Sequence, residues 1–182
     1  DAQKEHDEFA SILRENGIEV VYLEDLMAEV LELDDAILEK FIRQFMEEAG
    51  INTIKYQNLV FEFLDKIKDP KELVLQTMSG IQVGDIPKKD RDIEKTLVDS
   101  INTPDKFIAA PMPNLYFTRD NFDNVGIGTN LNHMYSETRN RECIYGEYIF
   151  KYHPEYNQTN LYYNRNESYI KKAEPIQTLP FI

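Results

Sequence analysis

In Pro111–Glu142, PMPNLYFTRDNFDNVGIGTNLNHMYSETRNRE, Asn, Asp and Arg crowd among turn-forming Pro and Gly. Phe117 and Asp120 stand three positions apart, so a turn between them would bring a flat ring beside a carboxylate. That pair suits a planar cation: the ring covers its face, and the carboxylate accepts two parallel N–H bonds from its edge. Guanidinium is the obvious guest. Pro111 and Pro113 fix φ on either side of Met112, Asn114 can close a turn, and Tyr116 and Phe117 would alternate faces in an extended stretch. An ordinary reading also stands: Asp120 closes a turn or caps a helix, Phe117 enters a core and Arg119 makes a surface pair. Arg139 and Arg141 in TRNRE could clamp a carboxylate, or pair in solvent with Glu137 and Glu142 on an exposed helix.

The remaining reactive side chains carry less. His133 has no Cys, Asp or second His at metal-ligand spacing, which predicts a satisfied structural histidine. His6 lacks the second histidine of a zinc helix and is expected on a solvated face. Cys143, the single cysteine, excludes an internal disulfide and a multi-cysteine metal site. With no activating base nearby it reads as a small buried or half-buried thiol. No metal site is expected.

The elements that must position these residues differ along the chain. Residues 1–100 carry 24 acidic and 12 basic side chains, net -12; residues 101–182 carry 9 and 8, net -1, which together give -13. Such acidity argues against nucleic acid or an anionic membrane as partner, since both call for Lys and Arg. No apolar run approaches the roughly 18 residues of a membrane span. The opening residues show no signal-peptide pattern, and a cytoplasmic location is expected.

Periodicity predicts helices over 3–16 (Phe9, Ile12, Leu13, then Gly17), 24–33, 34–50, 54–67, 70–78 before Gly80, and 91–101. The β-branched run Ile18, Val20 and Val21 predicts a short strand ahead of the second helix. Beyond Pro104 short apolar runs broken by Pro, Asn and Gly predict strands and tight loops, with a return to helix from Ser136. A capping box there would need Glu or Gln at 139, which is Arg. The last part, rich in Asn and Tyr, has no clean period. The expected division is a helical domain, 1–103, and a second unit, 104–182.

Two blocks carry a family resemblance. MPNLYFTRD and LNHMYSETRNRE, with AQKEHDEFASILRENGIEVVYLEDL near the start, closely resemble segments of the arginine deiminases over most of residues 2–150. The resemblance implies an α/β fold of the guanidine-modifying superfamily: a helical bundle insertion followed by part of a five-bladed α/β propeller. Those enzymes convert L-arginine and water to L-citrulline and ammonia without metal or organic cofactor. A cysteine thiolate attacks the guanidinium carbon and a histidine shuttles protons. Carried over position by position, Asp120 resembles a guanidinium-binding carboxylate of the catalytic machinery and Phe117 the flanking ring. Asn114 and Arg139 resemble the groups that hold the amino-acid end of L-arginine. One departure is local: Asn121 stands where the family usually has Pro.

Several family requirements have no counterpart here. The nucleophilic cysteine of a Gly-rich motif, the catalytic histidine and the EGGD carboxylate do not occur, and Cys143 takes a position the family usually gives to Thr. The chain corresponds to less than half of such an enzyme and is expected to be inactive alone. The alternative is a non-catalytic fragment that complements a second deiminase polypeptide or joins a homo-oligomer. Amidino transfer, a third possibility, suits the helical insertion less well.

Overall fold

The first helices follow from their caps and periods. A computed structural model describes residues 2–87 and 104–166. Helix α1, Ala2–Glu15, ends before Gly17 at φ 76°, and α2 runs Leu23–Glu32. Asp34 caps α3, Asp35–Glu48, by accepting the Ala36 N–H at 2.8 Å. Helix α4 is Ile54–Asp65; α5, Pro70–Ser79, starts on an Asp69 cap with proline in its first turn.

The predicted strand over Ile18–Val21 does not form. The stretch is irregular, with Ile18 51% and Val21 49% exposed, and no described strand pairs with it. β-branched residues favour a pleated surface only where a neighbour supplies the ladder. The helix expected over 91–101 and the end of the chain from 167 lie outside the described residues, as does the approach to the 103/104 division.

Strand β1, Ile81–Gln82, pairs antiparallel with β2, Phe107–Ala109. The chain then coils rather than extends. Pro113–Tyr116 form a 3-10 turn and Thr118–Asn121 a single helical turn, α6, so Tyr116 and Phe117 do not lie on an extended segment. Strand β3, Phe122–Val125, turns at Gly126 into β4, Gly128–Leu131, its antiparallel partner. Helices α7, Glu137–Glu142, and α8, Ile144–Tyr152, carry the chain over to β5, Asn160–Asn164, which pairs parallel to β4. A parallel return of this kind needs a crossover connection, and the two helices provide it.

One apolar cluster joins the helices to the crossover. Phe41 and Phe45 of α3, Met27 of α2, Leu64 of α4 and Leu73 of α5 are buried with Ile144, Tyr145 and Tyr148. Phe41 meets Tyr148 edge-on at 5.5 Å, a favoured arrangement of ring quadrupoles. Thr77 Oγ1 donates to the Val74 C=O at 2.7 Å and accepts the Tyr145 O–H at 3.0 Å, so both buried donors are satisfied. The architecture is mixed α/β, mostly helical with two small sheets.

A second contact, at the edge of this core, is ionic. Arg165, just after β5, donates to Glu48 of α3 at 2.6 and 3.0 Å and to Glu147 of α8 at 2.9 Å, and Gln44 bonds both carboxylates. Only 1% of the Arg165 side chain is exposed. Burial opposes its charge, yet bonds and attraction from Glu48 and Glu147 leave its pKa raised. His153 makes a smaller tie: Nε2 faces Glu29 Oε2 at 2.9 Å while Nδ1 accepts the Glu155 N–H. That acceptor role puts the ring proton on Nε2 in the neutral tautomer.

Candidate functional site

The loop from Pro111 to Asn121 is wound by its own backbone. The Met112 N–H donates to Met78 C=O at 2.9 Å, Phe117 N–H to Asn114 C=O at 2.9 Å, and Asp120 N–H to Phe117 C=O at 3.3 Å. The chain thus turns between Phe117 and Asp120, the condition for ring and carboxylate to converge. From the end of β4, Asn132 Nδ2 reaches the Asp120 carbonyl at 3.2 Å and Asp123 Oδ1 at 2.8 Å. These bonds fix the backbone under the Asp120 carboxylate.

The opposite side comes from α7. Ser136 Oγ accepts the Arg139 N–H at 3.3 Å, which caps the helix without a capping box. Arg139 Nη2 donates to Asp120 Oδ2 at 2.7 Å. Its Nε lies 3.5 Å from Glu142 Oε2, and Glu142 Oε1 accepts the Asn114 N–H at 3.1 Å. Asn114, Glu142, Arg139 and Asp120 therefore form one continuous polar chain. Hydrogen bonding to Asp120, with lesser attraction from Glu142, holds the Arg139 guanidinium above its ordinary pKa.

Several local expectations change. Phe117 is not core: it is 52% exposed, and its ring meets Tyr116 edge-on at 5.4 Å. Arg141 and Glu142 are buried rather than solvated, because α7 turns them inward against the loop and α3. Arg141 donates to the Ala110 carbonyl and lies over Phe45, and burial lowers its pKa. His133, expected to be structural, is exposed. Neither the role of Glu142 nor that of Asn132 was foreseen. The i,i+3 spacing of Arg139 and Glu142 was the available signal, but it does not say which helix face is covered.

Cys143 is fully buried, with Sγ 3.8 Å from Asn121 Oδ1. Burial pushes its thiol up to about 11. At pH 8 a thiol reagent should therefore label the native chain at least ~100-fold more slowly than the denatured chain, since the thiolate fraction falls tenfold per pKa unit. Equal rates in a stopped-flow comparison would show the burial to be transient.

A separate apolar cleft of about 590 Å³ lies between the β3–β4 hairpin, α8 and the start of α2, lined by Leu23, Leu26, Phe122, Ile127, Ile149 and Phe150 among others. None of Asn114, Phe117, Asp120 or Arg139 lines it. A guanidinium there would lose its water without a carboxylate in return, so the polar chain is the better cation site. No group of three potential metal ligands occurs among the described residues, and no described helix is long and apolar enough to cross a membrane.

An arginine deiminase of Treponema denticola is 52% identical over 169 residues, covering 92% of this chain but 40% of that protein. One from Streptococcus sanguinis is 49% identical over 168 residues, with 92% and 41% covered. The chain thus spans about two-fifths of the length of these relatives. Since the arginine deiminase family model matches residues 1–176 as well, the chain belongs to the arginine deiminase family.

Proposed function

We propose that this chain supplies one wall of an L-arginine site: Asp120 takes the guanidinium, Phe117 flanks it, and Asn114 and Arg139 hold the amino-acid end. The observation that carries the reading is the polar chain from Asn114 through Glu142 and Arg139 to Asp120. It gathers three of the four assigned residues, and the fourth, Phe117, is tied by backbone bonds to Asn114 and Asp120. Asp120 already holds a guanidinium, that of Arg139. For a ligand to bind in the assigned sense, Arg139 must exchange the Asp120 carboxylate for the ligand's carboxylate. Each charged group then leaves one ionic partner for another of the same kind.

In the complete family reaction L-arginine and water give L-citrulline and ammonia, with a thiolate as nucleophile. Cys143 does not suit that task, since its thiol is buried and stays protonated far above neutral pH. The residues present bind and orient, and hydrolysis requires groups supplied by another stretch of polypeptide. We further propose that the chain is a helical insertion with part of a five-bladed propeller, divided near 103/104, in the cytoplasm, completed by a complementary deiminase segment or by further copies.

Asp120→Asn should weaken L-arginine binding at least about tenfold by calorimetry, because a charge-assisted pair becomes a neutral one. Its melting temperature should hardly change, since 44% of the Asp120 side chain is exposed. Unchanged affinity in that variant overturns the assignment. Citrulline release by the chain alone, persisting after Cys143→Ala, would overturn the division of labour.

A further inference from the structure

Glu142 is the one carboxylate of the site that is out of water: none of its side chain is exposed. A buried carboxylate is costly unless its oxygens are occupied, and the two groups on them are informative. Oε1 accepts the Asn114 N–H, at the 3-10 turn, and Oε2 faces Arg139 Nε. Both partners belong to residues assigned above to the amino-acid end of the ligand. The contacts also divide the labour on the Arg139 guanidinium: its inner nitrogen faces buried Glu142 and an outer one faces half-exposed Asp120. A guanidinium held on its inner edge can exchange anions on its outer edge without losing its place.

We propose that Glu142 is a positioning residue for recognition of the ligand's carboxylate. It holds Arg139 by Nε and the Asn114 turn by its N–H, so that the outer nitrogens of Arg139 meet the carboxylate at a fixed distance from Asp120. This rests on the arginine-binding reading, and it goes further by assigning selectivity to a group that touches no ligand.

Glu142→Gln in the full chain tests it. The glutamine oxygen can still accept the Asn114 N–H, but its amide group turns a donor towards the Arg139 Nε–H, and two donors cannot bond. The probes are L-arginine and agmatine, which carries the same guanidinium and no carboxylate. The variant should lose about tenfold of its preference for L-arginine over agmatine, with agmatine affinity within about twofold of the parent. The Arg139 Nε–Hε signal of the ligand-free chain, followed by 15N NMR, should shift and exchange faster with water. Glu142→Asp, which keeps the charge but shortens the reach, should act alike and serves if the glutamine variant fails to fold. An unmoved Nε–Hε signal, or equal weakening of both ligands, overturns the proposal and leaves the arginine site standing. A parent chain that binds neither ligand overturns the arginine site, and the role given to Glu142 with it.

Discussion

Arg165→Ala is expected to lower unfolding stability by about 3–5 kcal/mol, the usual cost of removing one partner from a buried ion pair. The loss exceeds that of the contacts themselves. Glu48 and Glu147, with side chains 20% and 13% exposed, would face each other across the vacated space without the cation between them. Gln44 would be left with two carboxylates to serve. Since Glu48 ends α3 and Glu147 lies in α8, the damage should spread from the helical region to the crossover. Urea unfolding followed by circular dichroism and tyrosine fluorescence measures it, the chain having no tryptophan. A loss under ~1 kcal/mol would place Arg165 in solvent.

Gly80→Ala should cost about 2–6 kcal/mol by adding backbone strain to overpacking. Gly80 sits at φ 84° and ψ 177°, a region that is essentially glycine's own. An added Cβ would come within 2.7 Å of the Ala109 oxygen and 2.8 Å of the Pro111 nitrogen. Both are backbone atoms, so no side chain can rotate away. The substitution would part β1 from β2 just before the site loop. Gly17 provides the comparison: its φ is also positive, 76°, but a Cβ there meets nothing within 4 Å. Gly17→Ala should therefore cost only the backbone strain, about 1–2 kcal/mol, and equal melting temperatures for the two variants would refute the packing argument.

The helices were legible because each carries its own signals. Asp34 and Pro70 at the starts and Gly17, Gly50 and Gly80 past the ends lie where the sequence pointed; the Asp69 cap ahead of Pro70 adds to them. Ile18–Val21 misled because strand propensity is local and a ladder needs a second strand. Strand β5 was missed for the converse reason: Tyr162 and Tyr163 suit a strand, but Asn160 and Asn164 bound them so closely that no period shows, and the pairing with β4 comes from a crossover of some thirty residues. In the site, spacing brought Phe117 and Asp120 around one turn. It did not reveal that Arg139 would already occupy Asp120, or that Glu142 would be buried. Those contacts link positions 19 and 28 apart in sequence, and they depend on how α7 lies against the loop.

The sealed position of Arg165 has a consequence for the solvent as well. Mobile ions weaken attraction between charges that water reaches, over a Debye length of about 8 Å at physiological ionic strength. Arg43–Glu39 and Lys71–Asp25 are open to them, whereas the guanidinium between Glu48 and Glu147 is not. Added electrolyte also relieves the self-repulsion of a chain with formal charge -13. The joint between α3, α8 and β5 is thereby screened much less by the ionic medium than the ion pairs of the acidic exterior.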